Sequence, residues 1–227
     1  NTPVGSDKLK TVVKDLAAVR PEFFSVTYGA GGATRDKTLA TVKDIAALGH
    51  EAAPHLSCVG STAAGISEIL ATYRVQGIRR LVALRGDLPS GTAVAGEFRY
   101  ASDLIEFIRK TQGNDWHIEV AAYPEYHPQQ RYAKKDLEHF AHKVKSGANS
   151  AITQFFFNPD AYFHFVDEVR KLGVDVPIVP GIMPIHNYAK IAQFAQRDAI
   201  EIPRWVALKM EGFLDDAASI RAFGIEV

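Results

Sequence analysis

The sequence contains very little cysteine, carries no net charge and has no long apolar segment. Cys58 is the only cysteine among 227 residues, which excludes an intrachain disulfide and a zinc site built from several cysteines. The 26 basic residues are balanced by 26 acidic ones, and no basic stretch of the kind that binds nucleic acid is present. No apolar run approaches the roughly 20 residues of a membrane helix. We therefore expect a soluble, cytoplasmic protein without a nucleic-acid or membrane partner.

Six short apolar segments recur along the chain at the spacing of a strand followed by a helix. Their first residues lie 26 to 37 positions apart, which is typical of repeated strand–helix units. Most are apolar almost throughout, as strands covered on both faces of a parallel sheet are. The predicted strands are Phe23–Gly29, Glu51–Cys58, Arg80–Gly86, His117–Tyr123, Ser150–Phe157 and Val176–Ile182.

The segments between these strands have apolar residues at helical spacing. Ile69 and Tyr73 belong to one such stripe, and Gly77 is placed to end its helix. Asn158 followed by Pro159 predicts a helix cap and a first-turn proline. Because no linker, low-complexity segment or charge block interrupts the pattern, we expect residues 1–227 to form a single domain.

Six parallel strands with intervening helices fit either an open doubly wound sheet or a closed barrel. The glycine-rich sequence at residues 29–32 lacks the Gly-x-Gly-x-x-Gly spacing of a dinucleotide-binding turn and has no Walker-type lysine. Polar residues stand at the ends of nearly every predicted strand, where barrel active sites are assembled. The pattern therefore favours the α/β class and a (β/α)8 TIM barrel.

The polar residues at the strand ends suit an organic cofactor better than a metal. They include no carboxylate pair at glycosidase spacing and no serine–histidine–aspartate arrangement, and the histidines at 55 and 127 fall on different loops. Aromatic, amide and neutral polar groups are typical of a cofactor pocket. These residues are Thr27, Tyr28, His55, Arg85, Asp87, Tyr123, Glu125, His127, Thr153 and Gln154.

Several of these residues also have simple structural interpretations. A single histidine in a strand, such as His55, is more often a hydrogen-bonded core residue than a functional one. Cys58 fits a small buried apolar position. Asp136, His139 and Lys143 share one helix face, which by default is a solvated surface. From these residues alone, the reaction stays open.

Six segments, in the same order along the chain, resemble the methylenetetrahydrofolate reductase family. Each segment alone is moderately specific, whereas six in order cover essentially the whole chain. They are Ser25–Asp36, Pro54–Cys58, Ala83–Pro89, Tyr123–Pro128, Ile152–Phe157 and Pro180–Pro184.

The resemblance implies a barrel that holds FAD, takes hydride from NAD(P)H and reduces 5,10-methylenetetrahydrofolate to 5-methyltetrahydrofolate. Because both substrates need the same flavin face in turn, it implies ping-pong kinetics. The further implications are small-molecule substrates, no metal, a homo-oligomer, and a place in one-carbon metabolism and methionine biosynthesis.

The resemblance also implies a role for individual residues. Asp87, Gln154 and Phe194 would be catalytic and would bind substrate, with Gln154 hydrogen-bonding the folate and Phe194 stacking on it. Asp87 would stabilise a cationic folate intermediate. The cofactor-binding residues would be Thr27, His55, Arg85, Gly86, Asp87, Tyr100, Ala121, Tyr123, His127, Asp136, His139, His142 and Lys143.

The chain departs from the family pattern in two respects. His139 and His142 stand where the family often has asparagine and arginine. The family's Phe-Glu-Phe-Phe strand, with the glutamate expected to protonate the folate, is absent, as is its final strand. We therefore expect an eight-stranded barrel of which this chain shows six strands, with a gap between the edge strands of a C-shaped sheet.

Two other hypotheses fit the same residues. One is another FAD-dependent barrel oxidoreductase, such as a proline dehydrogenase. The other is a non-catalytic barrel that binds a flavin or a partner but lacks the general acid. Fold analogy alone would not separate these hypotheses from a reductase.

Overall fold

Strands and helices alternate along the chain in the computed structural model, which describes residues 3–27, 35–87 and 96–227. The strands are β1 Phe24–Val26, β2 Ala52–Ser57, β3 Arg80–Leu84, β4 His117–Ala122, β5 Ser150–Phe155 and β6 Ile178–Gly181. The helices are α1 Pro3–Ala17, α2 Arg35–Ala47, α3 Ala63–Val75, α4 Ala101–Gln112, α5 Ala133–Lys145, α6 Pro159–Lys171, α7 Tyr188–Asp198, α8 Arg204–Gly212 and α9 Ala217–Glu226.

All six predicted strands are confirmed, and each is shorter than the apolar run that predicted it. β3, for example, ends at Leu84, although the predicted strand continued to Gly86. The difference arises because the polar residues at the strand ends leave the sheet to form turns. The glycine-rich sequence at 29–32 and the end of the Ala83–Pro89 segment lie outside the described residues.

The strands form a parallel sheet in the order β1-β2-β3-β4-β5-β6. Phe24 pairs with Ala52 at the start of β1 and β2, and Arg80 pairs with His117 at the start of β3 and β4. Chain order and sheet order coincide, as they do in a (β/α) barrel, where each helix returns the chain to the next parallel strand. The predicted fold class is confirmed, with six strands in the part of the chain that the structure describes. The gap in the sheet stays a prediction.

The predicted helix signals are confirmed in detail. Asn158 caps α6, with its side chain accepting a hydrogen bond of 3.0 Å from the backbone N–H of Asp160, and Pro159 is the first helical residue. Gly77 follows α3 with a φ of 76°, a left-handed conformation that glycine adopts without steric cost. No helix within the described ranges is long and apolar enough to cross a membrane.

The chain forms two compact units. Unit 1 contains residues 1–120 and 146–149, and unit 2 contains residues 121–145 and 150–227. In unit 1, fully buried apolar side chains come from β2, β3, α3 and α4, among them Leu56, Leu81, Ile66, Leu70 and Ile105. In unit 2, one apolar cluster joins α7, α8 and α9 through Ile185, Ile191, Val206, Met210, Ile220 and Phe223. The single domain stays a prediction.

A buried arginine organises the amino ends of the strands in unit 1. The three guanidinium nitrogens of Arg80 donate to Glu51 at 2.9 Å, to Glu119 at 2.7 Å and to Glu22 at 2.7 Å. The guanidinium carbon also lies 4.4 Å from the centroid of the Phe23 ring. Glu119 is almost completely buried. Its Oε1 contacts both Arg80, at 2.7 Å, and the Nε2 of His117, at 3.1 Å, as a buried carboxylate requires.

Candidate functional site

In unit 1, the predicted site residues of the first two strands lie in β2 and directly after β1. Thr27 directly follows β1, and its carbonyl oxygen accepts a hydrogen bond of 3.0 Å from the Thr38 hydroxyl. His55 lies in β2 beside Val82 of β3. Burial lowers the pKa of His55, so its imidazole is neutral at pH 7 and can both donate and accept a hydrogen bond.

The turn after β3 has a fixed geometry that requires glycine. Gly86 has a φ of 85°, and a Cβ atom at this position would lie 1.9 Å from the Ser57 hydroxyl oxygen. The preceding carbonyl, of Arg85, accepts hydrogen bonds from the Ser57 hydroxyl at 2.9 Å and from the Val59 N–H at 2.8 Å. Asp87 follows this turn with an exposed side chain, so a rigid backbone presents its carboxylate to solvent.

Tyr100 lies at the beginning of α4. Its ring is 51% exposed, and its backbone N–H donates to Asp103 at 2.9 Å, which caps the helix. Its carbonyl lies 3.5 Å from the Cys58 sulfur. Cys58 is fully buried, which confirms the apolar interpretation, and burial raises the pKa of its thiol to about 11.

In unit 2, the loop after β4 holds two predicted cofactor residues against each other. The rings of Tyr123 and His127 meet edge to face, with their centroids 4.6 Å apart. The backbone N–H of His127 donates to the Asp136 carboxylate at 2.9 Å, and its Nδ1 accepts from the Gln129 N–H at 3.2 Å. Because Nδ1 is an acceptor, the neutral ring carries its proton on Nε2. The Nε2–H of His127 is therefore the ring group that can donate a hydrogen bond.

The helix face predicted at Asp136, His139 and Lys143 lies on α5. The ammonium group of Lys143 donates to the carbonyl of Ala121, in β4, at 2.5 Å. Burial lowers the pKa of Lys143 to about 8, against an opposing influence of the Asp136 carboxylate. Lys143 thus contacts β4 and Asp136 contacts the loop after β4, unlike a fully solvated face.

The two histidines that depart from the family pattern lie on the exposed side of α5. The Nδ1 of His139 is 3.2 Å from the Gln130 amide nitrogen. His142 is also exposed. The adenosine contacts predicted for both histidines stay a prediction.

Gln154 and Tyr123 line the same small cavity in unit 2, with a volume of about 10 Å³. The Gln154 Oε1 accepts a hydrogen bond of 3.1 Å from the Phe155 N–H, and its Nε2 donates to the Asp198 carboxylate at 3.4 Å. The other lining residues are Pro124, Glu125, Tyr126, Phe155, Asp198, Ala199 and Ile200. The structure therefore brings one predicted cofactor residue and one predicted substrate residue together.

Phe194, the other predicted substrate residue, lies on α7. Its ring is 41% exposed, and the Arg197 guanidinium carbon lies 5.2 Å from its centroid. An exposed aromatic ring on a helix offers a flat apolar surface on which another ring can stack.

Of the two carboxylates of this cavity, Glu125 was named among the polar strand-end residues without a specific role, and Asp198 was not predicted. One oxygen of Glu125 accepts from the Glu201 N–H at 2.8 Å, whereas its Oε1 is buried without a hydrogen-bond partner in the part of the chain that the structure describes. Burial raises the pKa of Glu125. Its position in Tyr123-Pro124-Glu125 was an available signal. Asp198 has no such signal, because it comes from a helix 44 residues after Gln154.

Comparison with known proteins places this arrangement in a family. The sequence profile described as "Methylenetetrahydrofolate reductase" matches residues 1–227. The 5,10-methylenetetrahydrofolate reductase of Escherichia coli is 42% identical over 213 residues, which are 93% of this chain and 71% of the relative. That of Pectobacterium carotovorum is 39% identical over 229 residues, with 99% and 76% covered.

More distant matches agree on the family and on the fold. A rice protein named "Probable methylenetetrahydrofolate reductase (NADH)" is 35% identical over all of this chain and 40% of its own length. A solved Clostridium thermocellum protein, described as binding two copies of 5-methyl-5,6,7,8-tetrahydrofolic acid, has a TM-score of 0.67 at 15% identity, covering 100% of this chain and 77% of its own. The chain belongs to the methylenetetrahydrofolate reductase family.

Proposed function

We propose that this protein transfers hydride from NAD(P)H, by way of bound FAD, to 5,10-methylenetetrahydrofolate and releases 5-methyltetrahydrofolate. The observation that carries the proposal is that Tyr123 and Gln154 lie together at the carboxyl ends of β4 and β5. In barrel enzymes this is the end at which the chemistry takes place. The family membership supplies the reaction class.

The polar groups of each unit fit the parts of FAD. When bound, FAD supplies a ring that accepts and returns a hydride. In unit 2, His127 has its proton on Nε2 and can donate to an acceptor, and the ammonium of Lys143 can approach a phosphate or an adenosine nitrogen. In unit 1, Arg85 supplies a permanent positive charge for a diphosphate. The resemblance assigns these residues, with the rest of the cofactor set, to one flavin.

Asp87 would serve the folate rather than the nucleotide. Methylenetetrahydrofolate must open to a cationic iminium before it can accept a hydride. The carboxylate of Asp87 lies beyond the Gly86 turn with its side chain exposed. A carboxylate held by a rigid backbone stabilises such a cation without reorganisation during the reaction.

Gln154 and Phe194 would serve both substrates in turn. A primary amide can hydrogen-bond the edge of a pterin or the carboxamide of a nicotinamide, because both present donors and acceptors. An exposed ring such as Phe194 can stack on either. One set of residues used by two substrates implies that NAD(P)+ leaves before folate binds, which gives ping-pong kinetics.

The remaining proposals concern the setting of the protein. The balanced charge of 26 basic and 26 acidic residues fits a cytoplasmic enzyme of one-carbon metabolism and methionine biosynthesis, without nucleic-acid or membrane partners. We also propose a homo-oligomer, which light scattering of the purified protein would test.

A spectrum of the purified full-length protein tests the proposed function. We expect a flavin absorption band that NADH or NADPH bleaches and that methylenetetrahydrofolate then restores. Comparing the two nucleotides gives the preference between them. A band bleached by proline instead would favour a proline dehydrogenase. A protein without any flavin band would favour a partner-binding barrel.

A further inference from the structure

An ion pair at the end of α7 lies beside both predicted substrate residues of unit 2. Arg197 donates from Nε to one oxygen of Asp198 at 2.8 Å and from Nη2 to the other at 2.9 Å. Its side chain is 69% exposed, whereas that of Asp198 is 20% exposed. The arginine thus forms the outer, solvated half of the pair, and the carboxylate forms the half that lines the cavity with Gln154.

Asp198 and the Phe155 N–H together fix which way the Gln154 amide faces. The backbone N–H of Phe155 can donate only to the amide oxygen, and it does so at 3.1 Å. The amide nitrogen then faces Asp198 Oδ2 at 3.4 Å, and an ionised carboxylate can only accept. Both contacts select the same amide orientation. Since the NH2 group has two hydrogens and Asp198 takes one, a second donor remains for a ligand.

The same ion pair also reaches Phe194. The Arg197 guanidinium lies 5.2 Å from the centroid of this ring, within the range of a cation–π contact. Arg197 therefore joins a ring predicted to stack on substrate to a carboxylate that orients an amide predicted to bind it.

We propose that Asp198 is a positioning residue for substrate binding, which acts through Gln154 and is itself held by Arg197. The inference rests on the proposed function, because it takes Gln154 to be the residue that contacts folate and nicotinamide. It adds Asp198, whose effect on substrate binding depends on the presence of the Gln154 amide. The substrate groups recognised in this orientation are hydrogen-bond acceptors, which meet the second N–H of Gln154.

The end of α7 does not depend on Asp198 for its structure. Ala199 caps the helix, and its N–H donates to the carbonyl of Ala195. The loop beyond is held separately by the bond of 2.8 Å from the Glu201 N–H to Glu125. Removing the Asp198 carboxylate therefore leaves the backbone of the cavity wall with its own hydrogen bonds.

A double-mutant cycle between Asp198 and Gln154 tests the proposal on the full-length flavoprotein. We expect Asp198→Ala to lower kcat/KM for methylenetetrahydrofolate by about tenfold, because one charged hydrogen bond to the binding amide is lost. In a Gln154→Leu background, the same change should have less than about a twofold effect, since there is no amide to orient. Asp198→Asn should retain most of the activity, because its carbonyl oxygen can still accept from Gln154.

Calorimetric titration with 5-methyltetrahydrofolate gives a second readout for the four proteins of the cycle, which are the wild type, the two single variants and the double variant. Gln196→Ala, at an exposed neighbouring position on α7, is the control and should match the wild type. Losses that multiply in the double mutant would overturn the proposal, as would an Asp198→Asn variant as impaired as Asp198→Ala. A wild-type protein that neither binds nor reduces folate would instead refute the proposed function. Thermal unfolding of each variant separates weakened binding from a weakened fold.

Discussion

The two ends of β3 use charged residues in opposite ways. At the amino end, Arg80 is 9% exposed and donates to three carboxylates, those of Glu22, Glu51 and Glu119. Beyond the carboxyl end, Asp87 has an exposed side chain after a turn that only glycine can form. One end satisfies its charges internally, and the other presents a charge to solvent. In a barrel, the amino ends of the strands serve stability and the carboxyl ends serve chemistry.

Unit 2 shows the same use of its carboxyl ends. Its cavity contains Gln154, with an N–H left for a ligand, and Glu125, with one buried oxygen that has no partner in the described part of the chain. Both groups can still bond to a ligand, which fits a binding site at this end of β4 and β5, although Trp116 Nε1, just before β4, is also buried without a partner among the described residues.

The largest loss of stability should come from a change at the amino end of β3, where the charges are paired. We expect Arg80→Met to lower the free energy of unfolding by about 3–5 kcal/mol, because the buried carboxylate of Glu119 would lose its arginine partner. Denaturant unfolding followed by circular dichroism measures this value. The double variant Arg80→Met, Glu119→Leu should recover part of the lost free energy of unfolding, since the buried carboxylate of Glu119 is then removed as well.

An exposed ion pair of the same unit provides the control. Arg74 donates to Asp115 at 2.8 Å, with side chains 40% and 62% exposed, and Arg74→Met should change stability by less than about 1 kcal/mol. If the two arginine variants were equally destabilised, burial would not be what distinguishes the amino end of β3.

The largest loss of activity should come from the other end of the same strand. We expect Asp87→Asn to retain FAD but to slow folate reduction by about 10²–10³, because one charge that stabilises the cationic intermediate is lost. Flavin reduction by NAD(P)H should slow much less. Stopped-flow absorbance measures the two half-reactions separately. Equal slowing of both would contradict the role, and Asp175→Asn, an exposed carboxylate just before β6, should affect neither.

Much of the fold could be predicted because local patterns determine it. Apolar runs gave the six strands, and Asn158 with Pro159 gave the start of α6. The predicted strands extend beyond the observed carboxyl ends, since the hydrophobicity of a residue does not indicate where the backbone turns. Gly86, for instance, read as the last residue of a strand, although its φ of 85° belongs to a turn.

The site was predictable only where a residue lies within a recognisable segment. Tyr123 and Gln154 fall in two of the segments that resemble the family, and the structure places both in one cavity. Asp198 and the Arg80 cluster could not be predicted, because their partners are 29 to 58 residues distant for Arg80 and 44 for Asp198. Such contacts depend on tertiary packing, which a linear pattern does not encode.

Lys143 should make stability depend on pH, with a sign that reflects its burial. Its pKa of about 8 in the folded protein lies below its ordinary value of 10.5. Between these values the unfolded chain binds the additional proton, so raising the pH favours the folded state. We expect the stability of the wild type relative to Lys143→Met to rise by about 2 kcal/mol from pH 7 to pH 9.5, as measured by urea unfolding.

Bound FAD should reduce this pH dependence, because an anion near the ammonium favours its charged form. Lys145→Met is the matched control, since Lys145 also donates to a carbonyl, that of Leu172 at 2.8 Å, from an exposed position on the same helix. A relative stability that falls as the pH rises would show that the ammonium is stabilised, not penalised, in the folded state. Lys143 would then resemble Arg80, whose charge is paired within the protein.

The smallest effect concerns the backbone at the edge of the cavity. Ala199 ends α7 in the left-handed conformation, with φ 55° and ψ 42°, where a Cβ atom is unfavourable and glycine is not. We expect Ala199→Gly to raise the free energy of unfolding by about 0.5–1 kcal/mol, whereas Ala192→Gly in the middle of the same helix should lower it by about 1 kcal/mol. Thermal and urea unfolding of both variants measure these two changes in stability.

Since Ala199 lines the cavity between Asp198 and Ile200, a gain in stability accompanied by weaker folate binding would indicate that backbone strain at this end of the strands is kept for the site. A loss of stability in Ala199→Gly would mean that the alanine side chain contributes more to the cavity wall than its backbone conformation costs.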